Sequence, residues 1–246
     1  MRQGVWGSLV ILGVGLAVAG DVGALARAQD KAAAALLAEA IDAHGGPGKL
    51  SLALTMTVES SGVLFGPSGE LPTRRKMTLD LPERMRWDVE SGGMKFTVIM
   101  NGAQGARGPA NDLAEITPSE VDDLRDYANA LQACALVPLT EGFTLTPQPE
   151  RRIGEQVVLC VKARKRAREY LLFFDKETKL FQGMAYKGRE GGQLVDREIV
   201  WKELKDYDGV KLPSVITEYV AGRKIAEWRQ NQYDLTKPDP KAFKLP

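Results

Sequence analysis

The chain has 246 residues, 44% of them hydrophobic and 26% charged, enough to build one sizeable core. Basic side chains number 33 and acidic ones 32, a balance that argues against a nucleic-acid binder. One histidine and two cysteines leave too few ligands for an ordinary zinc site.

Arg2 supplies a charged start, and residues 5–20 form an uncharged, mostly apolar run. Ala24-Leu25-Ala26-Arg27-Ala28 then offers two small-x-small cleavage sites, after Ala26 and after Ala28. This order is that of a secretory signal peptide. A retained anchor is the alternative, but the run is shorter than the roughly 20 residues of a spanning helix. No cysteine follows it, so the lipobox of a bacterial lipoprotein is missing. The expectation is a signal peptide over residues 1–28 and a single domain over residues 29–246, exported to the periplasm. There Cys134 and Cys160 could pair, yet each lies in an apolar stretch where a buried free thiol is the plainer reading.

Next in the chain, Asp30 is placed to cap a helix through KAAAALLAEAIDAH, with Leu36, Leu37, Ala40, Ile41 and His44 on one face. Gly45 stops it and Pro47 blocks its resumption. From Leu50 the period changes to two. LALTMTVESSGVLF, the turn Gly66-Pro67-Ser68-Gly69, LPTRRKMTLDL, RMRWDVES, the turn Gly92-Gly93 and MKFTVIMNG read as strands joined by hairpins.

Thr117-Pro118-Ser119-Glu120 starts a second helix over EVDDLRDYANALQACALV. Its apolar stripe holds Leu124, Tyr127, Ala128, Leu131 and Ala135, and Asp122, Asp123 and Asp126 lie near its favourable amino end. Strand patterns then run to the end, with turns at Lys176-Glu177-Thr178, Asp208-Gly209 and Ala221-Gly222. About ten antiparallel strands with two amphipathic helices predict an α+β fold, mainly β. The large curved sheet has its concave face covered by the N-terminal and inserted helices, a cup suited to apolar ligands.

Chemistry-bearing motifs are sparse. His44 could be a metal ligand, a catalytic base or a residue at a helix end, and the last reading leads because the helix dipole and terminal carbonyls favour it. No nucleophile turn of the Gly-x-Ser-x-Gly kind occurs, and GGPGK lacks the context of a phosphate loop. Asp122-Asp123 and the pair Asp206, Asp208 fall at a helix start and a turn, ordinary places for aspartate. No catalytic residue, metal or cofactor is expected. Cations cluster at Arg74-Arg75-Lys76 and over residues 162–168, read first as a solvated hairpin tip and second as a contact for anionic lipid.

The order of these features resembles a known family. The helix ending in Ala43-His44-Gly45-Gly46 with Leu50 following, residues 81–87 (LPERMRW), Asn101-Gly102, the inserted helix, residues 174–180 (FDKETKL), residues 206–213 (DYDGVKLP) and the tail Phe243-Lys244-Leu245-Pro246 look like the outer-membrane lipoprotein-sorting proteins related to the LolA and LolB carriers. The resemblance implies an unclosed barrel of about 11 strands with helices over a hydrophobic cavity. It also implies non-enzymatic carriage of a lipid, acyl chain or lipoprotein. In that family an arginine precedes the proline of the strand-start motif and helps latch the lid. Leu81 stands at that place here, with Arg84 or Arg86 as substitutes sharing one strand face.

The expected function is therefore an exported, LolA-like, lipid-binding protein, monomeric, with acyl chains and an envelope membrane protein as partners and no nucleic acid. An envelope scaffold with a filled core is the alternative, and a cell-envelope hydrolase the third. Candidate cavity residues are Met56, Val58, Trp87, Phe96, Val98, Leu131, Leu172, Phe174, Met184 and Trp201, most of which a packed core would also claim.

Overall fold

The computed structural model describes the backbone of residues 22–246 and the side chains of residues 30–246. The apolar run over residues 5–20 lies outside the described residues. So do residues 1–21 of the expected signal peptide and the side chains at its cleavage sites. Among the described residues no helix is long and apolar enough to cross a membrane.

Among the described residues three α-helices, α1 (Val22–Ala43), α2 (Pro47–Leu50) and α3 (Pro118–Cys134), accompany thirteen strands. The strands are β1 (Thr55–Gly66), β2 (Gly69–Asp80), β3 (Arg84–Ser91), β4 (Met94–Asn101), β5 (Gln104–Gly108), β6 (Ala114–Glu115), β7 (Thr144–Ile153), β8 (Gln156–Lys165), β9 (Arg168–Asp175), β10 (Phe181–Glu190), β11 (Gln193–Tyr207), β12 (Val210–Val220) and β13 (Arg223–Asp234). They form one antiparallel sheet in the order β6-β5-β4-β3-β2-β1-β13-β12-β11-β10-β9-β8-β7, so β6 and β7 are free edges and the sheet does not close. The count exceeds the expected 11 partly because short β5 and β6 extend one edge.

Bulges at Glu59/Ser60, Gln148/Arg151, Phe181/Gly183 and Glu218/Tyr219 interrupt the ladders and bend the strands they occupy. Hairpins occupy the expected turns, including Gly92-Gly93 and Ala221-Gly222. Arg166 takes a positive φ of 56° at the tip of the basic hairpin, where Lys162 pairs with Glu169 at 3.0 Å.

Two expectations about the first helix are corrected. It begins at Val22, so Asp30 lies in its interior instead of capping it. Pro47 does not block helix; it occupies the first position of α2, where its missing N–H is no loss. Leu50 is accordingly the buried end of α2, and the strand starts only at Thr55 after a 3₁₀ turn over Ser51–Leu54.

The largest core cluster packs Leu37, Ala40 and Ile41 of α1 and Ala133 and Cys134 of α3 against Leu172, Phe174, Phe181, Met184 and Trp201 of the sheet. A second cluster sets Val121 and Ala128 of α3 on Met77, Leu79, Met85 and Met100. Helix α3 starts as its sequence dictates: the Thr117 hydroxyl accepts from Glu120 N–H at 3.3 Å, and the Glu120 carboxylate accepts from Thr117 N–H at 2.9 Å. Between α3 and the sheet a gap remains.

Candidate functional site

That gap is a cavity of about 50 Å³ lined by Met56, Val58, Met77, Leu79 and Leu81 from one side of the sheet. Trp201, Ile199, Leu212 and Ile216 line it from the other, and Tyr127, Leu131 and Cys134 of α3 roof it. Strand alternation explains the β2 wall: Arg75, Met77 and Leu79 point the same way, paired in register with Ser60, Val58 and Met56 of β1.

One end of this apolar space is polar. Arg75 Nη1 approaches Glu218 Oε1 at 3.4 Å, with side chains only 7% and 11% exposed. The same carboxylate oxygen accepts from Trp228 Nε1 at 2.9 Å and from the Tyr127 hydroxyl at 3.2 Å. The Arg75 guanidinium lies 3.9 Å above the centre of the Trp228 ring, a close cation–π contact. Room for that indole comes from Gly62, where a Cβ would sit 2.8 Å from Trp228 Cε3 and 2.1 Å from the Glu227 carbonyl oxygen. Gln230 completes the group, its Oε1 accepting from the Ser60 hydroxyl at 2.7 Å. Burial and the neighbouring Glu218 carboxylate push the Tyr127 phenol up, so it stays a neutral donor.

Polar contacts at several points hold α3 over the cavity. Besides Tyr127, the Asp123 carboxylate accepts from Gly192 N–H at 3.3 Å, Arg125 Nη2 donates to Gly102 O at 2.9 Å, and Asp126 lies 3.5 Å from Arg189. Trp87 stacks edge-on against Tyr127 with centroids 5.2 Å apart.

The expected cavity residues divide. Met56, Val58, Leu131 and Trp201 line it. Leu172, Phe174 and Met184 are fully buried in the packed core, because α1 and the end of α3 cover that half of the sheet. Trp87 belongs to the second cluster beneath Tyr127. Val98 and Phe96 share its strand-pair face, but Phe96 is 41% exposed and lies outside the cavity.

The proposed substitutes for a family latch are elsewhere. Arg86 pairs with Asp88 at 2.8 Å and donates to Ala242 O, while Arg84 pairs with Asp80 and lies over Phe243. Both thus serve the face opposite the cavity. The arginine that reaches the lid, through Glu218, is Arg75, which sequence reasoning had placed in a basic cluster. Its parity with Met77 and Leu79 was the available signal.

His44 does not cap the helix carbonyls. It is fully buried, its Nδ1–H donates to Lys211 O at 2.5 Å and its Nε2 accepts from Phe181 N–H at 2.9 Å. Desolvation holds its pKa below the ordinary 6.5. The ring therefore fastens the end of α1 to β10 and β12. Among the described residues no group of three or more His, Cys, Asp or Glu side chains is placed to hold a metal ion.

No family model and no curated relative matches this chain. The fold is nevertheless LolA-like. A LolA superfamily protein from Nitrosomonas europaea superposes with a TM-score of 0.56 at 11% identity, covering 87% of this chain and 97% of that one. An outer membrane lipoprotein-sorting protein domain from Vibrio parahaemolyticus gives 0.53 at 11% identity, with the same coverages of 87% and 97%.

Proposed function

We propose that the protein is an exported, non-enzymatic carrier or binding protein that holds an acyl chain of a lipid or lipoprotein between the sheet and α3. The observation that carries this reading is the apolar cavity roofed by a helix with polar fastenings. Its fold likeness to a lipoprotein-sorting domain supports the same assignment. Each methylene buried there contributes about 0.8 kcal/mol, so an apolar lining suffices as mechanism without covalent chemistry.

The cavity of about 50 Å³ is far below the roughly 300–1,000 Å³ of a ligand pocket. Loading therefore requires α3 to lift from the sheet, giving up the Tyr127, Asp123 and Arg125 contacts. The same small volume favours the second reading, an envelope scaffold whose core is simply filled. Native mass spectrometry of protein purified from its own compartment, with uptake of a fluorescent fatty acid, separates them. Copurified lipid or saturable uptake is expected; empty protein with no uptake sinks the carrier reading.

A further inference from the structure

The polar end of the cavity is short of acceptors. Arg75 and Gln230 are 8% and 6% exposed and both line the space, yet Arg75 Nε and Gln230 Nε2 have no hydrogen-bond partner among the described residues. Glu218 Oε1 already receives Arg75 Nη1, Tyr127 and Trp228, and Gln230 Oε1 receives Ser60, so neither oxygen serves these two donors. Buried donors left unpaired are destabilising, so two of them facing one cavity define a place for an acceptor.

We propose that Arg75 Nε and Gln230 Nε2 form a head-group site that binds the carbonyl oxygen of an acyl ester or amide, the chain of that group occupying the apolar end. This rests on the reading of the cavity as an acyl-chain site and adds the chemistry of what is joined to the chain. Charge selects the neutral carbonyl over a carboxylate. Glu218 already neutralises Arg75 within the buried group, and a second anion there would be an uncompensated charge in low dielectric. Direction follows from β2, whose inward residues run from Arg75 through Met77 to Leu79, about 13 Å of extended strand, with Leu81 lining the cavity just beyond its end. A carbonyl at Arg75 thus sends its chain along the apolar wall toward Leu81.

The test compares 1-lauroylglycerol, its ether counterpart 1-O-dodecylglycerol and laurate by titration calorimetry on the exported chain. The ester is expected to bind about tenfold or more tighter than either of the others, the difference two hydrogen bonds make. In the double variant Ser60→Ala/Gln230→Met, which removes one of the two donors and leaves Arg75 Nε, the ester-to-ether affinity ratio should fall by about threefold. Equal affinities in the unmodified protein, a preference for laurate, or an ester-to-ether ratio undiminished in the folded variant would overturn the head-group site while leaving the carrier reading intact. Binding of none of the three would overturn both. Should the variant fail to fold, the ester-to-ether ratio of the unmodified protein decides alone.

Discussion

The Tyr127 hydroxyl donates to Glu218 Oε1 at 3.2 Å, joining the helix that roofs the cavity to a strand on the far side of the sheet's centre. Tyr127→Phe removes this bond while keeping the ring against Trp87, and Glu218 retains Arg75 and Trp228 as donors. A loss of about 1 kcal/mol in stability is expected from urea unfolding. Uptake of a fluorescent fatty acid should become faster, because a closing contact is gone; unchanged uptake kinetics would show that this bond does not gate the cavity.

Arg75 and Glu218 should behave as a pair whose members cannot be removed singly. Arg75→Met strands a buried carboxylate and is expected to cost about 3–5 kcal/mol. Adding Glu218→Met removes the stranded charge but leaves the Tyr127 and Trp228 donors without their acceptor, so it should recover only part of that loss. A double-mutant cycle on denaturation midpoints measures the coupling, and strict additivity would contradict it.

His44 predicts a pH dependence with a defined sign. The folded state holds it neutral with a lowered pKa, whereas the unfolded chain titrates at the ordinary 6.5. Below that value the unfolded state takes up the proton first, so stability is present above pH 6.5 and falls as the pH drops, by at most about 1.4 kcal/mol per unit. It is the chain's sole histidine, which keeps the window between pH 5.5 and 7.5 uncluttered. His44→Gln should be less stable overall and show a flat profile across that window in chemical denaturation.

Cys134 and Cys160 are both free and buried, and they belong to different clusters: Cys134 roofs the cavity, and Cys160 packs with Val158 and Phe173 apart from it. Burial pushes both thiols up, which slows their reaction further. Titration under denaturing conditions should find two thiols, and the folded protein close to none. Labelling of Cys134 should accelerate in Tyr127→Phe, reporting the lifting of α3 directly.

How far the sequence could be read is visible at particular residues. The period-two alternation of MTVES placed Met56 and Val58 on one face, and the capping residues Thr117 and Glu120 marked the start of α3; both signals are local. The same alternation assigned inward positions to Leu172, Phe174 and Met184, but parity says only that a side chain faces the helices. Whether it meets a packed helix or open space depends on where α1 lands. Likewise the short path from Gly46 to Thr55 reads as the start of a strand until Pro47 is seen seated at the first position of a helical turn.

The sequence by itself determined the alternation of elements, their turns and the apolar face that the sheet and helices share, because these follow from periodicity and backbone preferences within a few residues. Tertiary structure alone decided that His44 is a neutral fastening between three elements rather than a helix cap. It alone brought Arg75, Tyr127, Glu218, Trp228 and Gln230 together at one end of the cavity. Arg75 and Glu218 lie 143 residues apart, and only the pairing of β13 with both β1 and β12 brings their strands close.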